Sequence, residues 1–551
     1  MSMKPQNIPP VPDFTAAVAR AAFPKGNIYL QIRDTLGSIY IDEDFTDLFS
    51  VRGQPAQSPW RLALISVMQY IENLSDRQAA DAVRGRIDWK YALSLPLDDA
   101  GFNFSVLSEF RQRLIARGKE ELLLERILEQ LRSQGLLTGH QRQRTDSTHI
   151  LAAIRPLNRL ETLGETFRAA LNSLALAAPD WLIKHLKKAW FDRYGRRMEN
   201  YRLPKLDSER ESLGNQIGAD GFALLKAIFA PNAPEWLRCL PAVEILRLVW
   251  LQQFYAPVDG KVQWRVPKDM PPSALAIHSP YDTEAHYSSK RSVNWVGYKA
   301  HVTESCDHNC PHFITHVHTT LSTLTDEAVV EPIHQALSKK DLLPKEHLMD
   351  LGYVTAKLLV KSQIDYGIEL IGPVRSDPSW QAHHHPKFAS NQFQIDWNKQ
   401  VAICPKGHRS QTWSQKVDES GQPIIDIRFP QSACRACPSL SRCTRAQTQP
   451  RGLTIRSQNE YLALSHRRAV QNTPEFLQIY RHRAGIEGTL SQGIRQSDLR
   501  QSRYIGLAKT HLQHILMAAA LNLCRLDNWV NGIPLASTRY SRFLTLRPKT
   551  G

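Results

Sequence analysis

The stretch Tyr480-Arg-His-Arg-Ala-Gly-Ile-Glu-Gly-Thr-Leu-Ser-Gln-Gly-Ile-Arg495 holds three residues whose types and spacing could do chemistry. On a helix Tyr480, Arg483 and Glu487 fall at i, i+3 and i+7, which is one stripe. A phenol, a guanidinium and a carboxylate in line suit a surface that holds a phosphate and a metal ion; alone, they are equally a surface ion pair. Two aspartates far upstream change the reading: Asp146 in Thr145-Asp-Ser-Thr148, and Asp350 at the end of His347-Leu-Met-Asp350. Mg²⁺ is a hard ion that prefers carboxylate oxygens, and two such ions about 3.5–4 Å apart can activate a water or hydroxyl and stabilise a leaving oxygen. Three carboxylates from separate elements would form the clamp for phosphodiester cleavage. Glu487 lies between Gly485 and Gly488; helical glycine costs about 1 kcal/mol relative to alanine, so the pair implies close backbone approach there.

A second constellation is the cysteine segment. Four of the eight cysteines fall between Cys404 and Cys443. Cys404-Pro-Lys-Gly-His408, Cys434-Arg-Ala-Cys437 and Cys443 give enough thiols for a closed tetrahedral Zn²⁺ site made by Cys404, Cys434, Cys437 and Cys443, with His408 as the alternative ligand. Four protein ligands leave no open position, so such zinc would be structural. His312, His316 and His318 could suggest another metal, but alternation in a strand makes a half-exposed sheet face the better account of the last two.

From about Asn27 to Leu137 the pattern is helical, with Trp60 to Ile71 at helical spacing and Ser75-Asp76 as a cap. Thr145 onward reads as a strand. Arg155 to about Ala274 is helical and Leu/Trp-rich, an insertion whose role is not legible. Val293 to Val302 and Phe313 to Thr320 form an antiparallel pair, followed by a helix after Asp326, a short strand ending at Asp350, a helix capped by Thr355 and a strand from Ile368 to Gly372. The chain after Pro474 is helical. Strand with Asp, hairpin, helix, strand with Asp, helix and strand, then late helices with Glu is the order of a ribonuclease H-like domain, whose part-parallel sheet would bring Asp146 and Asp350 to adjacent strand ends.

The expected fold class is therefore multidomain α+β: a helical N-terminal domain and a ribonuclease H-like mixed α/β catalytic core with helical and zinc-bearing insertions. The divisions are 1–138 (helical, DNA-binding), 139–154 (first core strand), 155–275 (helical insertion), 276–373 (core continued), 374–460 (insertion with the zinc site), 461–530 (C-terminal catalytic helices) and 531–551 (tail). With 551 residues the chain exceeds a single core. Its 69 Lys+Arg against 53 Asp+Glu, a formal charge of +16, point to a polyanionic partner, nucleic acid first. No apolar run reaches the roughly 18 residues of a membrane span, and the start lacks a secretory core, so a cytoplasmic protein with no membrane partner is expected.

These residues resemble the DDE transposases of bacterial insertion sequences, in the branch whose signature is Tyr, two residues, Arg, three residues, Glu, six residues, Lys. Tyr480, Arg483 and Glu487 match with correct spacing; the lysine position is Ile494, with Arg495 the nearest cation. The resemblance extends through Thr145-Asp-Ser-Thr, Gly297-Tyr-Lys-Ala-His, Asp350-Leu-Gly-Tyr and Leu499-Arg-Gln-Ser-Arg-Tyr-Ile-Gly-Leu-Ala-Lys-Thr. It implies that Asp146, Asp350 and Glu487 bind two Mg²⁺ or Mn²⁺ ions, with Tyr480 and Arg483 holding the DNA end. Arg495, Arg500, Arg503 and Lys509 join the DNA-contacting set from charge and position. The implied partner is double-stranded DNA, both terminal inverted repeats and target, with the protein a homodimer or larger on it. A nuclease of the same fold that cuts without joining, and a domesticated zinc-bearing DNA-binding protein, are the alternatives that the sequence leaves open.

Overall fold

Six strands gather the dispersed acids. The structure is a computed structural model describing residues 2–138, 140–255, 261–290, 292–307, 310–446, 449–534, 542, 543 and 546; most of the expected 531–551 tail lies outside the described residues. The strands are β1 (Arg142–Leu151), β2 (His286–Lys290), β3 (Val293–Ser305), β4 (Ile314–Leu321), β5 (Glu346–Leu348) and β6 (Glu369–Ile371). β2 and β4 both pair with β3, and the order continues β3-β1-β5-β6. β3 is antiparallel to β1, β2 and β4, whereas β1-β5 and β5-β6 are parallel. The sheet is therefore mixed, and the strands bearing Asp146 and preceding Asp350 are neighbours, with Arg144 opposite Leu348. Gly297 is required where β3 meets β1: at φ +154° a methyl group would stand 2.1 Å from the Ile150 carbonyl oxygen.

One face of the sheet is covered by the helix Val330–Lys339, through Ile333, His334 and Leu337, and the long helix Leu507–Val530 lies against β4. That long helix is buried along most of its length because its other side meets the N-terminal helix Pro59–Ile71. Trp60, Phe110, Leu123, Leu516, Leu523, Tyr298 and Val317 consequently belong to one continuous apolar core. The N-terminal region is helical throughout, from Asp13–Ala22 to Leu122–Ser133. Ser75 caps the helix Asp76–Gly85, accepting from the Gln78 N–H while the Gln78 side chain returns to the Ser75 N–H.

Two segments carry cores of their own. In the helical stretch from Arg159 to Gln253, Phe167 meets Trp190 and Tyr194 with ring centroids 5.0 and 4.5 Å apart. Between the sheet and the late helices, β7 (Gln394–Asp396) pairs with β8 (Val401–Ile403), and β9 (Thr412–Val417), β10 (Pro423–Arg428) and β11 (Gly452–Ile455) form a three-stranded sheet around Ile427, Phe429 and Leu453. Neither small sheet was legible from a reading dominated by cysteines and prolines, although Ile424, Ile425 and Ile427 are β-formers.

Two expectations are corrected. His316 is 3% exposed and stacks on His318, which is only half-buried, so the expectation fails for His316 and holds for His318. Lys340 Nζ lies 3.3 Å from His316 Nδ1, and the long helix brings His514 against Thr319. The Tyr480 to Arg495 stretch is not one α-helix: Pro474–Tyr480 is followed by a 3₁₀ turn, Arg481–Ala484, and then by the helix Gly485–Ser497. Among the described residues, no helix is long and apolar enough to cross a membrane.

Candidate active site

Asp146 projects from the middle of β1 and is 8% exposed. It accepts a hydrogen bond from the Ser147 N–H at 2.8 Å and one from Arg483 Nη2 at 2.6 Å. Arg483 Nη1 in turn reaches Glu487 Oε1 at 3.1 Å, four residues along. A single guanidinium thus bridges two of the three acids. Burial raises the Asp146 pKa above the usual carboxylate value; Arg483 works against this, and the nearby charge of Asp350 adds to it. Asp350 sits just beyond β5, where its Oδ1 accepts from the Gly352 N–H at 2.8 Å. Tyr480 stacks on Phe476 at 5.8 Å and feels the charges of Arg483, Asp350, Asp146 and Glu487.

The position of the late helix follows from an ion network that sequence reading missed. Glu304 on β3 is fully buried and receives Arg144 Nε at 2.7 Å and Arg525 Nη1 at 2.8 Å, with the Thr489 hydroxyl donating to it as well. Arg144 Nη1 also donates to the His482 carbonyl at 2.5 Å. This explains Gly485, where a methyl group would stand 2.1 Å from Arg144 Nη1. Gly488 has open space around its Cβ position, so close approach does not account for it. A fourth acid, Asp326, also stands here: a methyl on Gly352 would lie 3.1 Å from Asp350 Oδ1 and 3.2 Å from Asp326 Oδ2. Asp326 pairs with Lys299 at 3.2 Å. The signal available in the sequence was a charge inside each strand-like run, at Arg144, Glu304 and Lys299.

The remaining expected residues are placed variously. Arg495 is exposed on the Gly485–Ser497 helix, and Lys509 is exposed on the first turn of the long helix. Arg500 donates to the Thr148 hydroxyl at 3.1 Å. Arg503 turns inward, giving Nη1 to the Leu74 carbonyl at 2.8 Å and lying 4.6 Å over the Tyr70 ring. Ile494 packs against the main core. Cys404, Cys434, Cys437 and Cys443, with His408, line one small cavity. Burial and the neighbouring thiols raise the Cys443 thiol to about 11, against the pull of Arg451. As the side chains stand, no three His, Cys, Asp or Glu among the described residues form a group that could hold a metal ion.

Known family models match two stretches of the chain. A Transposase DDE domain model matches residues 403–527, the stretch holding Tyr480, Arg483, Glu487 and the four cysteines, and a Transposase domain (DUF772) model matches residues 17–113 among the N-terminal helices. Asp146 and Asp350 lie outside both matched stretches. No curated protein matches the chain. The chain thus carries a Transposase DDE domain in the segment that holds Glu487, the mark of enzymes that cleave DNA and transfer the cut strand, and a transposase domain among its N-terminal helices.

Proposed function

We propose that Asp146, Asp350 and Glu487 are the catalytic acids of this transposase, set in a ribonuclease H-like core, and that they hold two Mg²⁺ or Mn²⁺ ions. The observation that carries this reading is the guanidinium of Arg483, bridging Asp146 and Glu487 where a cation is needed to neutralise converging carboxylates. The donor set fits the ions by chemistry, since all the atoms are hard oxygens. The sheet order, with antiparallel strands on one side of β1 and parallel strands on the other, supports the core assignment. When bound, the ions would activate water, and later the freed 3′-hydroxyl, and would stabilise the leaving oxygen. Arg483 then exchanges carboxylates for a phosphate of the DNA end; its buried Nε–H has no partner among the described residues and suits that contact. Tyr480 flanks the same phosphate. Joining needs two element ends in one complex, which implies a dimer or larger assembly on DNA.

Manganese titration of the full chain without DNA tests the acid site. Arg483→Gln removes a competing cation, so Mn²⁺ affinity should rise on the order of three- to tenfold, an effect of up to one pKa-unit equivalent, while Asp146→Asn should weaken it. Unchanged affinity in both variants would remove Arg483 and Asp146 from a common metal site.

The thiols of Cys404, Cys434, Cys437 and Cys443 suit zinc, a soft-ligand site that would fasten the β7 to β11 segment. The tight turn at Cys404, where the Gly407 N–H donates to the Cys404 carbonyl at 2.8 Å, and the Cys434–Cys437 turn at 3.2 Å, are knuckle-like supports. Elemental analysis should find about one zinc per chain and next to none in Cys437→Ser, with proteolysis then opening the 394–455 region. A wild-type chain purified without chelator and free of zinc would sink this assignment.

A further inference from the structure

The helical insertion contains a basic surface that no catalytic role explains. Between Lys184 and Arg197 stand Lys184, Lys187, Lys188, Arg193, Arg196 and Arg197 against one acid, Asp192. The rest of residues 155–275 is balanced, with 12 Lys+Arg and 12 Asp+Glu, so this short segment holds the insertion's entire positive excess. Arg193 is tied to Asp220, and Lys187 lies 5.6 Å over the Trp190 ring. The side chains of Lys184, Lys188, Arg196 and Arg197 are exposed and make no hydrogen bond or ion pair with another described residue. Phe191, on the same helix face as Lys188 at i+3, is 63% exposed.

The surface is rigidly mounted. Trp190 and Tyr194 pin the helix Lys188–Tyr194 onto Phe167. Met198, next to Arg197, is buried and held through its N–H by Glu165 at 2.6 Å and through its carbonyl by Arg155 Nη2 at 2.7 Å. Arg155 is the anchor that matters for reach, because it follows β1 and lies nine residues from Asp146. Nine residues span at most about 32 Å, so Arg155 itself is held within one turn of duplex DNA, about 34–36 Å, of Asp146. Four cations without a partner among the described residues, three of them on or beside the pinned helix and with the exposed Phe191 between them, match phosphates along a duplex.

We propose that Lys184, Lys188, Arg196 and Arg197 form a second DNA-contacting surface that grips duplex phosphate backbone. The placement relative to the cut rests on the acid assignment of Asp146; the binding itself does not. The insertion is thereby a clamp on DNA outside the reacting phosphate, and its duplex is the element's own end or the target.

The test uses the full chain in EDTA, so that binding is read without cleavage. The combined variant Lys184→Gln, Lys188→Gln, Arg196→Gln, Arg197→Gln is compared with wild type on a duplex of arbitrary sequence and on one carrying the element's end, from 50 to 200 mM salt. If three or four phosphate contacts are lost, the slope of log affinity against log salt should fall by about 3, and affinity at 100 mM should drop on the order of tenfold or more. Lys184→Arg with Lys188→Arg should keep the wild-type slope. Loss confined to the end-bearing duplex assigns the surface to the element's end. Equal loss on both duplexes, with strand transfer impaired but end cleavage intact in Mg²⁺, assigns it to target. An unchanged slope on both duplexes overturns the proposal, as does duplex binding that survives while binding to phosphatidylserine vesicles is lost.

Discussion

Asp350→Asn should abolish end cleavage, by at least about a thousandfold, or roughly 4 kcal/mol of barrier, while leaving DNA binding at its wild-type level. The effect should be local for a geometric reason. Asn keeps the oxygen that accepts the Gly352 N–H and nearly the same volume, so the turn after β5 survives. What disappears is the negative charge, and with it a hard anionic donor to the proposed ions. Asp350 also acts on Asp146, Arg483 and Tyr480 through that charge. Removing it should ease the burden on Asp146, which burial already raises. Gel-shift and cleavage assays on one end-bearing duplex read the two properties side by side. Normal cutting by this variant would place the chemistry elsewhere.

Glu304→Gln should be the most destabilising single change near the site, by about 3–5 kcal/mol, because it leaves Arg144 and Arg525 facing a neutral amide. The side chains of these arginines are 7% and 11% exposed, so water does not replace the lost charge. Burial alone would raise the Glu304 carboxyl, but the charges of Arg525 and Arg144 and the hydrogen bond from Thr489 outweigh it and hold the pKa below its usual value. A depressed carboxylate contributes stability that is fully present above the unfolded value, near 4.3, and is lost as pH falls through the folded value. Urea unfolding should therefore show a wide gap between wild type and variant at pH 7 that narrows as pH drops below about 4. Thr489 lies two residues from Glu487, and Arg525 ties the long helix to the same point, so cleavage should weaken too although Glu304 touches no substrate. A variant as stable as wild type at pH 7 would show that the network does not hold the helix.

The contrast between Asp146 and Glu304 shows what was legible in the sequence. Asp146 and Asp350 stand out because Asp146 is the lone charge in Thr145-Asp-Ser-Thr148 and Asp350 ends the strand-like His347-Leu-Met, and the element order around them is that of a mixed sheet with their strands adjacent. Glu487 was legible through its spacing from Tyr480 and Arg483. Glu304 also sits in a strand, but its partners Arg144, Thr489 and Arg525 belong to three other elements, and only the folded register makes them a network. A buried charge and a surface charge look alike in one sequence. The same holds for Arg503, whose guanidinium lies over Tyr70 and donates to the Leu74 carbonyl in the turn between two N-terminal helices. His316 was misjudged because strand alternation shows which side chains share a face, not which helix covers it. Gly485 was rightly singled out for close approach, yet the group that approaches is the Arg144 guanidinium, invisible until β1 and the 3₁₀ turn are placed together.

The metal preference of Asp350→Cys on an end-bearing duplex decides whether Asp350, with Asp146 and Glu487, forms a metal-dependent cleavage site. A thiolate is a poor ligand for Mg²⁺ and a better one for softer ions. Cleavage should be absent with Mg²⁺ and partly restored with Mn²⁺, with no such rescue in Asp350→Asn. Equal cleavage by Asp350→Cys in the two metals, at the wild-type rate, would contradict the account.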